Sequence, residues 1–140
     1  RLVEVSIRVA ERVSTVRALV DSGLSLREPL LGMPVVVVDH AGVGTLLPGM
    51  APELLDPGRL PELVAACGHR LGGRFAVIPY RSLGQPQGLL LGFRPDEIRV
   101  DGTVCRAMVA VYPGRIGAGD YTALVPPELC PARGEGRRCA

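Results

Sequence analysis

The stretch VSTVRALVDSG, residues 13–23, decides the fold, because it runs as an apolar strand straight into a carboxylate. The segment before it, residues 2–9, carries apolar side chains at alternate positions, namely Val3, Val5, Ile7 and Val9. A period of two over that length predicts a half-buried β-strand. Residues 13–20 predict a second strand, and the two strands together predict a hairpin that delivers the chain to Asp21.

The triplet Asp21-Ser22-Gly23 follows the apolar residues 18–20 directly, so its carboxylate emerges from the predicted core and not from a solvated face. Ser22 can hydrogen-bond locally, and Gly23 permits a tight turn with close approach of the backbone. Taken alone, the triplet also fits an ordinary Asx-type turn at the end of a strand. The triplet by itself therefore leaves both a structural and a catalytic interpretation open.

The context of the triplet is more specific. A hairpin of alternating apolar residues followed by two hydrophobic residues and Asp-Ser/Thr-Gly resembles the pepsin-like and retroviral-type aspartic proteases, and residues 5–23 resemble the N-terminal half of the retroviral type. The resemblance implies a mainly β, retropepsin-like acid-protease half-barrel with one or two short helices. It also implies that Asp21 is the catalytic carboxylate and that Ser22 and Gly23 form the active-site turn.

Such enzymes need two carboxylates about 3 Å apart, which cannot both ionise and therefore share one proton. One acts as a base on a water molecule while the other protonates the substrate carbonyl. The chain contains no second Asp-Ser/Thr-Gly, and its 140 residues suit one half of such a site. We therefore predict a homodimer in which the partner contributes the second catalytic aspartate.

Blocks further along the chain resemble one particular family of proteases. The sequence is similar to the sporulation sigma-E factor-processing peptidases (SpoIIGA type) in the blocks DSGLSLREP (21–29), GMPVVVV (32–38), IPYRSLG (78–84), LLGFRPD (90–96) and YTALVPPEL (121–129). That family implies the soluble, cytoplasm-facing protease domain of a protein anchored in the membrane on the mother-cell side of the sporulation septum. It further implies that the substrate is a pro-sigma factor polypeptide and that a signalling protein from the forespore acts upstream.

Two residues depart from the family pattern. Leu24 stands where the family has Asn, and Glu28 stands where it has Asp. Glu28 keeps the charge, whereas Leu24 removes a polar side chain beside the predicted catalytic turn. Leu24 is the feature that favours a catalytically silent, retropepsin-like binding or dimerisation domain over an enzyme. A retropepsin-like protease with another protein substrate is the other alternative.

A turn-rich segment between two apolar stretches, residues 79–90, predicts a protruding hairpin. We interpret this hairpin as a candidate flap over the substrate, with candidate contacts listed as Tyr80, Arg81, Ser82 and Gly84. A surface hairpin without a role is the alternative. In that case the arginine is simply solvated and the tyrosine is a packing residue.

The remaining pattern completes a mainly β domain over residues 1–130, with residues 131–140 predicted to be a disordered tail. The continuous β-branched run at 35–38 predicts a strand buried on both faces. Pro61 near the start and Gly68 just beyond the end predict a short helix over 60–67. Further strands are predicted at 74–80, 89–94, 97–100, 104–111 and 121–125.

Composition excludes several functions. With 47% hydrophobic and 21% charged residues the chain has an ordinary globular composition, and a net charge of +2 without basic and aromatic clusters does not support nucleic-acid binding. All 16 basic residues are Arg, which excludes catalytic lysine chemistry. No apolar run approaches the ~18 residues of a membrane span. The first residue is Arg1 and not Met, so we expect a fragment of a longer protein.

We predict no metal site and no cofactor. The four cysteines form no C-x-x-C pair, and the two histidines, His40 and His69, lack the spacing of zinc ligands. Reduced thiols in a cytosolic compartment are the simplest interpretation of the cysteines.

Overall fold

The structure is a computed structural model and describes residues 1–49, 55–68, 74–82 and 85–131. Within these ranges the chain is mainly β, as predicted, with two α-helices and a 3-10 turn after the last strand. The strands are β1 Leu2–Val9, β2 Arg12–Val20, β3 Val35–Asp39, β4 Phe75–Ser82, β5 Gln85–Phe93, β6 Glu97–Val100, β7 Thr103–Cys105, β8 Met108–Tyr112 and β9 Ala123–Val125. The helices are α1 His40–Val43 and α2 Leu60–Gly68, and the 3-10 turn is Pro127–Leu129.

All nine strands join one open sheet in the order β4-β5-β8-β3-β9-β2-β1-β6-β7. The predicted N-terminal hairpin is confirmed, since β1 and β2 pair antiparallel with Val5 opposite Val16. Strand β2 then pairs parallel with β9, with Val20 opposite Val125. Asp21 therefore leaves the sheet next to the end of β9, in the interior of the strand order and away from its edges.

Strand β3 is buried on both faces, as the β-branched run predicted. All five of its residues are buried. Val36 and Val38 belong to a large core on one face of the sheet, whereas Val35 and Val37 belong to a smaller core on the other. Because successive side chains point to opposite faces, a strand covered on both sides is mostly apolar; the buried polar residue of β3 is Asp39 at its end, whose carboxylate oxygens accept backbone N–H groups.

Two cores made mostly of aliphatic side chains cover the two faces of the sheet, which contains few aromatic residues. The larger core includes Val43 from α1 and Leu60 from α2, so both helices pack on that face. The smaller core consists of Met33, Val35, Val37, Ile78, Leu90, Met108 and Ala110. Partly buried side chains pack against the smaller core, among them Leu24, Leu26 and Leu124.

The structure differs from the predicted strands in one place that matters. The single strand expected over 104–111 is broken at 106–107, because β7 pairs with β6 at the edge of the sheet while β8 lies between β5 and β3. The chain must cross from the edge to the middle of the sheet between them. Strand β9 begins at Ala123, two residues later than expected, and the predicted short helix is confirmed as α2.

Of the predicted tail, residues 132–140 lie outside the described residues, so its predicted disorder stays a prediction. None of the helices in the described ranges has the length and apolar character needed to cross a membrane.

Candidate active site

The turn that follows β2 fixes Asp21 by its backbone and by one carboxylate oxygen. The N–H of Asp21 donates to the carbonyl of Val125 at 2.9 Å, and its own carbonyl accepts from the N–H of Leu24 at 3.1 Å. Asp21 Oδ1 accepts the N–H of Gly23 at 2.9 Å. The other oxygen, Oδ2, accepts no hydrogen bond from the described residues, and the side chain is half-buried. One oxygen is thus held by the turn and the other is available.

The Asx-type turn that the sequence left open is present, and the same bond orients the carboxylate. A Cβ atom added at Gly23 would lie 3.3 Å from Asp21 Oδ1. The absence of a side chain at this residue therefore allows the carboxylate oxygen to approach the backbone closely. Ser22 is exposed at the tip of the turn. The Asx-type turn is therefore confirmed, and its geometry is compatible with a catalytic carboxylate.

A cleft of about 720 Å³ opens beside Asp21. Its walls come from the turn after β2, from β4 at Pro79, Tyr80 and Arg81, and from the loop that joins β8 to β9. Ligand sites usually measure about 300–1,000 Å³, so the cleft is large enough to hold part of a bound molecule. The structure thereby brings Asp21 together with two of the predicted flap residues.

Strand β4 carries two of the four predicted flap residues, Tyr80 and Arg81, into the cleft. Tyr80 lies opposite Gly88 of β5, and a Cβ atom at Gly88 would come within 2.4 Å of the tyrosine ring, so the ring lies over the glycine backbone. Tyr80 is therefore both a packing residue and a wall of the cleft. A register shift between Tyr80 and Ser82 sets two residues of β5 opposite the exposed Arg81, and such bulges often re-aim a side chain near a site.

The other two flap predictions are not placed. Ser82 ends β4, but its side chain lies outside the described residues, and Gly84 lies outside them altogether. Their proposed contact with a substrate remains a prediction.

Apart from Leu24, which follows the triplet directly, the apolar lining of the cleft was missed by sequence reasoning. It consists of Leu24, Leu26, Val37, Leu90, Tyr112, Ile116 and Leu124. Leu24 packs against the smaller core, and the hydrogen bond that it gives to the Asp21 turn comes from its backbone. The register pairing of Val37 with Leu124 places both on one face, but only the strand order reveals that this face is a cleft.

The loop between β8 and β9, residues 113–122, is called the wall loop below. It contributes Arg115 and Ile116 to the cleft, and two of its glycines, Gly117 and Gly119, have positive φ angles of 73° and 111°. Its sequence, PGRIGAGDYT, signals a turn-rich loop. The sequence does not indicate that this loop lies beside Asp21, because its position depends on the pairing of β8 and β9 with β3.

The cleft is cationic apart from Asp21. Arg27 forms an ion pair with Glu128 at 2.6 Å. Arg81 and Arg115 are exposed and form no ion pair within the described ranges. Among the described residues that line the cleft, Asp21 is the one acidic side chain.

Glu28, one of the two departures from the family pattern, is a buried carboxylate with a structural task. It is 4% exposed and accepts the N–H groups of Leu30 and of Leu31, the second at 2.8 Å. Its own N–H donates to the carbonyl of Met33 at 2.9 Å. The carboxylate thus holds the loop between the Asp21 turn and β3.

We expect Glu28→Gln to lower the free energy of unfolding by about 1–3 kcal/mol, because the amide keeps one acceptor oxygen and turns an N–H₂ group toward a backbone N–H. Urea unfolding followed by circular dichroism measures the change. The exposed Glu11 offers a matched control, and Glu11→Gln should leave the free energy within about 0.5 kcal/mol of wild type. Equal losses in the two variants would contradict the task assigned to Glu28.

The described thiols are not suited to nucleophilic catalysis. Cys105 and Cys130 are free and half-buried, and burial raises the pKa of the Cys105 thiol to about 11. Burial also raises the pKa of the Cys130 thiol. A thiol needs a lowered pKa to act as a nucleophile at neutral pH. In the same ranges no three His, Cys, Asp or Glu side chains are grouped as metal ligands would be.

Comparison with known proteins identifies the family. A family model described as "Sporulation factor SpoIIGA" matches residues 1–129. A "Sporulation sigma-E factor-processing peptidase" of Priestia megaterium is 31% identical over 100 residues, which are 71% of this chain and 33% of that protein. A "Putative sporulation sigma factor-processing peptidase" of Bacillus thuringiensis subsp. kurstaki is 24% identical over 139 residues, covering 92% of this chain and 84% of that protein.

The chain thus matches only a third of the length of the P. megaterium relative. No solved structure matches the chain. The family match includes the Asp21 turn, β4 and the wall loop, which are the three walls of the cleft. Since the match covers nearly the whole described domain, the chain belongs to the SpoIIGA family of sporulation factors.

Proposed function

We propose that the chain is an aspartic endopeptidase that works as a homodimer and cleaves the precursor of a sporulation sigma factor, with one catalytic Asp21 from each copy. The observation that carries the proposal is a single Asp-Ser-Gly carboxylate, held by its turn with one oxygen available, on the wall of a 720 Å³ cleft. The names of the two relatives supply the substrate class. Cleavage of such a precursor by the wild-type chain, beside an Asp21→Asn variant, tests it.

A retropepsin-like half-barrel is part of this proposal. Its support is the β1–β2 hairpin that leads into the turn, together with the parallel pairing of β2 with β9. The pairing places the Val125 carbonyl where it receives the N–H of Asp21. Two catalytic carboxylates that share a proton must be held at a fixed distance from each other, and the hydrogen bond to Val125 fixes the backbone of Asp21 to the sheet.

The chemistry follows from two such turns facing each other. In the dimer, Asp21 Oδ2 faces the partner's Asp21, and the two carboxylates share one proton. The ionised carboxylate takes a proton from a water molecule, which attacks the peptide carbonyl carbon, while the protonated carboxyl gives its proton to the carbonyl oxygen. The carboxyl formed in that step then gives its proton to the peptide nitrogen as the C–N bond breaks, and the other carboxylate takes a proton from a hydroxyl of the tetrahedral intermediate, so that the pair again shares one proton. The hydrogen bond from Gly23 holds Oδ1, so each carboxylate keeps its orientation.

Strand β4 is the proposed docking edge for an extended substrate. It ends the strand order, so the side of its backbone that faces away from β5 has no strand partner in the described sheet. Extended peptides bind such edges by main-chain hydrogen bonds, with side chains in alternate pockets. Pro79 is compatible with an edge strand because it has no N–H to pair, and Tyr80 and Arg81 follow it into the cleft.

The unpaired arginines predict a preference for acidic side chains. We expect a fluorescein-labelled peptide of alternating Val and Glu to bind more tightly than its Val–Gln counterpart, and Arg81→Gln or Arg115→Gln to reduce this preference. An exposed ion pair contributes about 0.2–1 kcal/mol, or a factor of about 1.4–5 in affinity. Fluorescence anisotropy at low and high salt measures the preference, which salt should weaken.

Arg59 is the matched control for this prediction, because it is exposed and does not line the cleft. Arg59→Gln should leave the preference unchanged. A preference that is lost to the same extent in all three variants would show a general charge effect and would contradict a local role for the cleft arginines.

The alternative of a silent binding domain rests on Leu24. The Asp21 turn is closed by the Leu24 backbone and by the Gly23 N–H, so it does not need a polar side chain at residue 24. This observation favours the enzyme. A retropepsin-like protease with another substrate would cleave a different polypeptide with the same dependence on Asp21.

We further propose that the domain belongs to a longer protein anchored in the membrane, that it faces the mother-cell cytoplasm and that a forespore signal activates it. The support is the family membership and the length of the P. megaterium relative, of which the chain matches 33%.

A further inference from the structure

Asp39 is a buried carboxylate outside the catalytic turn. It is the last residue of β3, its side chain is 3% exposed, and it precedes the one-turn helix α1. A buried carboxylate is costly unless hydrogen bonds satisfy both of its oxygens. The partners of those two oxygens therefore indicate what the residue is for.

Each oxygen has a different partner. Asp39 Oδ1 accepts the N–H of Gly42 at 2.9 Å and so caps α1. Asp39 Oδ2 accepts the N–H of Ile116 at 3.4 Å, across 77 positions of sequence. The first partner belongs to the adjoining helix, whereas the second belongs to the wall loop of the cleft.

The backbone of Asp39 also meets both ends of the wall loop. Asp39 lies opposite Tyr112, the residue before the loop, in the β3–β8 pairing. Its N–H donates to the carbonyl of Thr122, the last residue of the loop, at 3.0 Å. The start, middle and end of the loop thus contact one residue, and only the middle contact depends on the side chain.

We propose that Asp39 is a positioning residue for substrate recognition, which holds the wall loop so that Arg115 and Ile116 face the peptide in the cleft. The inference rests on the proposed function, since it assigns the wall loop to the substrate site. Asp39 does not touch the substrate and acts through Ile116. Loss of its bond to Ile116 frees the loop while the strand and helix ends stay in place.

The Asp39→Asn variant separates the two oxygens. An amide has one acceptor oxygen, and the shorter bond, to Gly42, retains it. The N–H₂ group then faces the N–H of Ile116, so two donors meet where a donor and an acceptor met before. The volume of the side chain is unchanged, and the cap of α1 is kept.

Amide hydrogen exchange is the first measurement. We expect exchange of the Ile116 amide to become about two- to tenfold faster in Asp39→Asn, the size expected for the loss of one hydrogen bond, with the lower end favoured by the long 3.4 Å distance. The Gly42 amide should keep its protection. Asp56→Asn is the matched control, because Asp56 accepts the N–H of Gly58 in an exposed turn away from the cleft. Unchanged exchange at Ile116 would overturn the proposal.

Peptide affinity is the second measurement. In Asp39→Asn we expect the preference for the Val–Glu peptide over the Val–Gln peptide to fall to the level of Arg115→Gln. The double variant Asp39→Asn/Arg115→Gln should show no further loss, since both changes remove the same contact. A merely structural residue would lower the melting temperature and leave the preference intact, and that result would overturn the proposal.

A second variant moves the same loop from its other side, in case Asp39→Asn fails to fold. A Cβ atom at Gly117 would lie 2.8 Å from the carbonyl oxygen of Tyr121, and the φ angle of Gly117 is positive. Gly117→Ala should therefore shift the loop and reduce the same peptide preference without touching β3 or α1. Full preference in Gly117→Ala would contradict the role of the loop. Both measurements use binding or exchange, so a chain that binds but cleaves nothing would refute the protease and leave this inference standing.

Discussion

Asp21→Asn is expected to abolish cleavage of a sigma-factor precursor and to leave the fold intact. The amide oxygen can still accept the N–H of Gly23, and the backbone bonds to Val125 and Leu24 do not involve the side chain. What is lost is a group that can take and give a proton in the transition state. General acid–base catalysis alone contributes about 10²–10⁴-fold, so residual activity should fall below detection in an ordinary processing assay.

The assay follows the appearance of the shortened sigma factor by mass spectrometry after incubation with each variant. Asp56→Asn is the matched control, because Asp56 makes the same kind of Asx turn, with its Oδ1 at 3.0 Å from the N–H of Gly58, outside the cleft. Full activity of Asp56→Asn beside inactive Asp21→Asn would locate the chemistry at Asp21. Retained processing in Asp21→Asn would refute the aspartic mechanism.

The hairpin and the turn could be predicted because their signals are local. Alternating apolar residues in β1 and the triplet after β2 lie within residues 2–23, and the pairing that they form is a simple hairpin. The burial of β3 on both faces could likewise be predicted from its run of four valines. Local patterns of this kind carry their structural meaning without knowledge of the rest of the chain.

The walls of the cleft could not be predicted because they depend on strand order. Val37 faces Leu124, and Asp39 reaches Ile116, only after β3 has been placed between β8 and β9. Asp39 stands in no sequence motif that would link it to the loop at 113–122. The break between β7 and β8 has the same origin, since the run of apolar residues is continuous and only the sheet requires the chain to cross it.

The two departures from the family pattern have different structural meanings. Glu28 is buried and accepts backbone N–H groups with both oxygens, so its carboxylate has a structural role in the loop. Leu24 contributes a half-buried side chain to the cleft and a backbone N–H to the turn. A change at residue 24 should therefore alter which peptides bind before it alters the geometry of the carboxylate.

Mixing wild-type and Asp21→Asn chains tests whether one site needs two copies. If each dimer needs both carboxylates, activity at a fixed total chain concentration follows the square of the wild-type fraction. An equal mixture then contains about a quarter wild-type dimers and about half mixed dimers, and the mixed dimers are inactive because they hold a single catalytic carboxylate. Activity should therefore drop to about a quarter, whereas independent single-chain sites would leave about half.

The measurement requires the chains to be unfolded and refolded together, so that dimers form at random. Mixing wild type with Asp56→Asn under the same conditions should leave activity unchanged and controls for losses in refolding. Activity that falls in simple proportion to the wild-type fraction would refute the shared site even if Asp21 proves essential. A quadratic fall would mean that the active unit needs Asp21 from two copies, and that the half-site on each chain is completed by association.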